Sequence, residues 1–117
     1  MPNYLPLDRT FQALADPTRR RVLERLGRGP ATVSELAEPF DMALPSFLQH
    51  LRVLEQSQLV RSEKAGRVRT YRLEPQGVAG AAAWLKEQFG VWEQRLDQLD
   101  SLVKTLSQEE KHDENAP

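Results

Sequence analysis

This chain of 117 residues contains no cysteine, which excludes disulfides, thiolate metal sites and thiol redox chemistry together. Histidine is nearly as scarce, with only His50 and His112, and no HExxH zinc motif or glycine-rich phosphate loop is present. Long apolar runs are missing too: the longest, Gly77 to Leu85, is far too short to span a bilayer. The opening MPNYLPLDRT lacks the charged-then-apolar pattern of a signal peptide. Ser46 and His50 lie four residues apart, a superficial nucleophile and base, yet no orienting acid or oxyanion element accompanies them. These absences lead to the expectation of a soluble cytoplasmic protein that is not an enzyme and holds neither metal nor cofactor.

What is present suits one domain of ordinary size: 39% hydrophobic residues allow a modest core and 28% charged residues keep it soluble. The net charge of −1 conceals an asymmetry. Residues 1–73 carry 12 Lys and Arg against 8 Asp and Glu, whereas residues 74–117 carry 4 against 9. Affinity for nucleic acid depends on where positive charge is concentrated, because each neutralised phosphate releases counterions locally. A basic reading head joined to an acidic element fits that distribution.

Helix signals fill the first half. Leu7, Phe11 and Leu14 form a short amphipathic pattern, and Asp16-Pro17 supplies an N-cap followed by proline at the first helical position. The next helix turns Val22, Leu23 and Leu26 inward and ends at Gly27. Thr32 with Glu35 makes a capping box for a helix burying Val33, Leu36 and Ala37 and stopped by Pro39. A longer helix is predicted from Leu44 to Gln58, entered through Asp41 or Met42, with Phe47, Leu51 and Leu54 as its apolar stripe. Leu59–Lys64 and Arg67–Leu73 then read as strands joined across Ala65-Gly66. The expected fold is mostly α with a small β-hairpin, a winged helix-turn-helix that is dimeric through its terminal helices. In it the second helix enters a DNA major groove and the hairpin reaches the flanking backbone or minor groove.

From Pro75 the pattern is helical to about Leu106. Leu85, Phe89, Trp92, Leu96, Leu99, Val103 and Leu106 recur at alternating spacings of 4 and 3, a heptad seam that asks for a partner helix. Homodimerisation through it, with Leu7, Phe11 and Leu14 alongside, is the economical reading. Residues 1–106 thus form one domain including the dimerisation helix, and 107–117, polar and acidic, read as a disordered tail.

At LADPTRRRVLERL, ELAEPFDMALPSFLQHLRVLEQSQLV and GRVRTYRL the chain resembles the ArsR-type winged-helix transcriptional regulators of bacteria, over roughly residues 8–104. The resemblance implies a homodimer on a near-palindromic operator in double-stranded DNA, usually repressing transcription. Metal-sensing members carry cysteines on the helix corresponding to Thr32–Glu38, or His and acidic ligands on the last helix. This chain has no such set. Where relatives usually have serine, it has Ala43 before the recognition helix and Leu48 on that helix.

The expected DNA contacts are Ser46, Leu48, Gln49, His50 and Arg52 on the helix and Lys64, Arg67 and Arg69 on the wing. Gln49 is the best base reader, since a carboxamide both donates to and accepts from adenine. Leu48 offers a thymine methyl contact or extra core. His50 offers a phosphate bond or packing against the wing. Arg67 and Arg69 are expected on one face of the second wing strand, within reach of phosphate or a narrow groove. Of Arg19 to Arg21, at most two approach DNA and the others pair with Glu24 or stay solvated. Two other readings compete with a repressor: a winged-helix module for protein contact, and a regulator with an unknown small-molecule effector bound near Trp84, Phe89 and Trp92.

Overall fold

The computed structural model describes residues 5–114, in the order α1 (Leu5–Leu14), α2 (Pro17–Leu26), β1 (Ala31–Thr32), α3 (Val33–Ala37), α4 (Leu44–Gln56), β2 (Val60–Ala65), β3 (Val68–Leu73) and α5 (Pro75–Glu114). The chain divides into two compact units, the first ending at Ala82 and the second beginning at Ala83.

Local signals start and stop the helices of the first unit. Asp16 caps α2 by accepting from the Arg19 N–H at 3.0 Å, with Pro17 at the first position. The Gly27 N–H closes the helix on the Leu23 carbonyl at 2.9 Å. Both bonds of the α3 capping box form: Thr32 Oγ1 accepts from the Glu35 N–H, and the Glu35 carboxylate accepts from the Thr32 N–H, each at 3.2 Å. α4 begins differently. Ala43 occupies its N-cap and contributes no side-chain bond, in place of the expected Asp41 or Met42. α4 ends at Gln56, two residues early, because Gln58 turns into the left-handed region at φ +61°.

The core gathers Val22, Leu26, Leu36, Phe47, Leu51, Leu54, Leu59, Val60 and Tyr71, so the α4 stripe is buried as its spacing predicts. α1 departs from expectation: Thr10 and Ala13 are its buried residues, while Leu7, Phe11 and Leu14 are half-buried. Thr10 is accommodated because its hydroxyl donates to the Pro6 carbonyl at 3.0 Å. The sheet has three antiparallel strands in the order β1-β3-β2, with Ala31 opposite Tyr71 and Lys64 opposite Arg69. β1, two residues long, is too short to show an alternating pattern. Each wing strand starts one residue later than expected, which leaves Gly66 (φ +64°) and Arg67 in the turn and takes Arg67 off the strand face it was to share with Arg69.

The first turn of α5 lies against the α4–β2 turn, so closely that a Cβ on Gly77 would stand 1.7 Å from the Gln58 carbonyl oxygen. Only glycine fits there. The second unit is the rest of α5, and its helix continues to Glu114 through residues read as a disordered tail from Ser107. After Gly90 no Gly or Pro interrupts it before Pro117, and polar composition alone does not stop a helix already nucleated. Residues 115–117 lie outside the described part. Leu85, Phe89, Trp92, Leu96, Leu99, Val103 and Leu106, the seam residues, are 43–63% exposed.

Candidate nucleic-acid interface

α4 is two-faced. With Phe47, Leu51 and Leu54 buried, the opposite side presents Ser46, Gln49, Arg52 and Gln56 to solvent. Gln49 and Arg52 are hydrogen-bonded to each other, Arg52 Nη1 donating to Gln49 Oε1. The other two expected α4 contacts are drawn inward. Leu48 is half-buried and packs against the core, its core alternative.

His50 faces the start of α2, not the wing. Its Nδ1 lies 3.1 Å from Arg19 Nη1 and 3.7 Å from Asp16 Oδ2. Arg19 also donates to the carbonyls of Ala13 (2.8 Å) and Gln12 (3.1 Å), and Arg20 to that of Leu14 (2.8 Å). Two arginines of α2 thereby satisfy the open carbonyls at the end of α1. Arg21 stacks over the Phe40 ring at 4.6 Å. None of the three forms the expected pair with Glu24 among the described residues. Asp16 sits at the centre of this cluster. Burial alone would raise its pKa, but the Arg19 N–H, the His50 ring and the Arg19 guanidinium outweigh it and hold the carboxyl below 3.8.

On the wing, charges near the sheet base are neutralised and those at the tip are not. Arg61 pairs with Glu74 at 3.4 Å and Arg72 with Glu63 at 3.9 Å. The side chains of Lys64 and Arg67 are exposed and make no hydrogen bond or ion pair to another described residue. Lys64 stands directly opposite Arg69, a like-charge pair that costs stability in an isolated hairpin. Arg69 is held instead through Ser62: its Nη1 donates to Ser62 Oγ at 2.8 Å, and Ser62 Oγ donates to Glu55 Oε1 at 2.6 Å. Glu55, at the end of α4, thereby ties the wing to the helix. Tyr71 lies beneath; burial first, then the Glu55 charge, raise its pKa above 10.0.

Arg19, Asp16, Glu55 and Ser62 were not among the expected site residues. Asp16 was visible as a cap, but nothing in the sequence signals that it lies beside His50. Among the described residues no cluster of three or more His, Asp or Glu stands ready for a metal ion, and no helix is long and apolar enough to cross a membrane.

Comparison with known proteins gives a consistent picture. Residues 14–63 match a helix-turn-helix domain family. The chain is similar to the HTH-type transcriptional regulator Rv2034 of Mycobacterium tuberculosis, 47% identical over 68% of this chain and 74% of that one. It is also similar to the transcriptional repressor SdpR of Bacillus subtilis, 30% identical over 68% of this chain and 88% of the repressor. Among solved structures, the ArsR family transcriptional regulator RHA00566 superposes with a TM-score of 0.74 at 58% identity, over 79% of this chain and 95% of that one. The homodimeric winged helix-turn-helix DNA-binding domain of Mb0332 from Mycobacterium bovis superposes at 0.58 with 26% identity, over 73% of this chain and 79% of that one.

Proposed function

Because this chain belongs to the ArsR family of winged helix-turn-helix, DNA-binding transcriptional regulators, we propose that it is a homodimeric repressor without enzymatic activity, acting in the cytoplasm. The α4 helix reads the major groove through Gln49 and Arg52, and the wing tip contacts the flanking backbone through Lys64 and Arg67. The observation that carries this reading is the segregation of charge on the wing: base arginines are paired with Glu63 and Glu74, while the tip cations are left open to solvent. A merely solvated surface has no reason to leave like charges facing each other at Lys64 and Arg69. Phosphate removes that cost.

Dimerisation is supported by the open seam of α5 and by the homodimeric neighbour, and repression by the relative of that name. Two α4 helices in a two-fold dimer address half-sites about 34–36 Å apart, one turn of DNA, and hence a near-palindrome. The test is selection of bound fragments from genomic DNA of the source organism at two salt concentrations. Enrichment of one near-palindromic site, weakening steeply with salt, is expected. Folded, dimeric protein that enriches nothing would replace this reading with a protein-binding module.

A further inference from the structure

Along α5, Lys86, Glu93 and Arg95 flank the apolar seam and form no hydrogen bond or ion pair among the described residues. Asp100, also beside the seam, is paired with Lys104 at 3.1 Å. In two paired helices the side chains that flank such a seam meet across it, and their charges set orientation and register. The seam also has two definite ends. It reaches back to Val78, one heptad before Leu85 and 41% exposed, and forward to Leu106. The next seam position, Glu110, is charged.

Two antiparallel copies that cross between Gly90 and Val91 account for the flanking charges and for both ends. Phe89 then meets the partner's Trp92, Leu85 the partner's Leu96, and Val78 the partner's Val103. Leu106 lies opposite the partner's Pro75, where α5 begins, so the stripe ends where the helix covering it ends. Beside the seam, Lys86 meets the partner's Glu93 and Arg95 the partner's Gln88, each twice by symmetry. Sliding the crossing half a heptad toward the N-terminus sets Lys86 against Lys86. Sliding it the other way sets Glu93 against Glu93 and Arg95 against Arg95. Like charges facing each other work against a pairing. A parallel pair fares no better. It sets Arg95 against Asp100, which Lys104 already engages, leaves Lys86 opposite Ala81, and puts Glu110 against Glu110 within the seam.

We propose that α5 pairs antiparallel with α5 of a second copy, about a two-fold axis between Gly90 and Val91, and that the Lys86–Glu93 pairs fix this register. The inference rests on the proposed homodimer, and the test separates the two. The chain has no cysteine, so introduced ones report alone. Leu85→Cys and Leu96→Cys, both at exposed positions, are produced separately and by co-expression. Disulfide-linked dimer is read on non-reducing gels, and assembly by sedimentation. In the proposed pairing residue 85 faces the partner's residue 96. The two copies of residue 85 stand about 16 Å apart along the helix, beyond the roughly 7 Å between Cα atoms that a disulfide spans.

Co-expressed variants should therefore cross-link, and each alone should not. Lys86→Glu and Glu93→Lys should each weaken self-association by about threefold to tenfold, and both changes in one chain should restore it. Cross-linking by either cysteine variant alone, as parallel helices require, overturns the register while the homodimer stands. So does a co-expressed pair that sediments as a dimer without cross-linking, or a charge swap that restores nothing. Wild-type protein that sediments as a monomer overturns both.

Discussion

Up to Ala82 the chain folds its large apolar side chains together. Phe47, Leu36, Leu51, Leu54, Leu59, Val22 and Val60 are all at or below 2% exposed, drawn from short helices and the start of the wing. From Ala83 onward a single helix carries ten large apolar side chains, from Trp84 to Leu106, and every one is at least 36% exposed. The two regions therefore obtain their stability from different sources. The first has a core of its own. The second exposes its heptad seam along one helix, and in the homodimer proposed above a second copy of the chain covers it. Under the proposed function, DNA reading and assembly fall to different units: the polar face of α4 and the wing belong wholly to the first, the seam to the second.

The sharpest way to break that separation is in the seam. Leu96→Glu combined with Leu99→Glu should leave the first unit folded, yet yield a monomer by sedimentation. Loss of the tethered second reading head should lower operator affinity on the order of 100-fold or more. A dimer that survives both charges would remove the seam from the interface. Next in size is Gly77→Ala, which acts on the first unit alone. Its methyl group collides with the Gln58 carbonyl, so thermal or urea unfolding should report a loss of about 1–3 kcal/mol, the usual range for overpacking.

A smaller effect is expected at the wing tip. Arg67→Ala should weaken binding to all sequences alike and reduce the salt slope by about one, with stability unchanged because the Arg67 side chain makes no hydrogen bond or ion pair within the described chain. A slope equal to wild type would mean that the wing tip does not touch phosphate. The smallest is Asp16→Ala, which should cost about 1 kcal/mol at neutral pH as a lost N-cap. Its folded pKa lies below the ordinary 3.8, so the stabilisation is present above that value and disappears as the pH falls through the folded pKa. Melting curves of variant and wild type should therefore converge on acidification. Curves that stay equally separated at low pH would assign the effect to packing and not to the carboxylate.

Much of this arrangement is legible residue by residue, and the limits have physical causes. The Asp16-Pro17 start, the Thr32–Glu35 box and the α4 stripe involve partners within one or two helical turns, where spacing is geometry. The wing was legible from the glycine its turn requires, though shifted by one residue, because β-strand ends lack a signal as strong as a helix cap. β1 was too short to leave a pattern. The continuation of α5 to Glu114 was hidden by composition: a polar stretch resembles a tail until an upstream helix extends into it.

By itself the sequence determined where the helices begin, which face of α4 is apolar, and that a long helix bears a seam. Each is settled by contacts a few residues apart, or by the period of a helix. Which polar side chains of α4 stay free of other partners depends instead on elements distant in the chain. His50 is claimed by Arg19, 31 residues earlier in the chain. Leu48 is claimed by the core, and Glu55 reaches Arg69 through Ser62 on a different element. A side chain's hydrogen-bonding capacity is written in its chemistry, but which partner uses that capacity depends on what folding brings within about 3 Å of it.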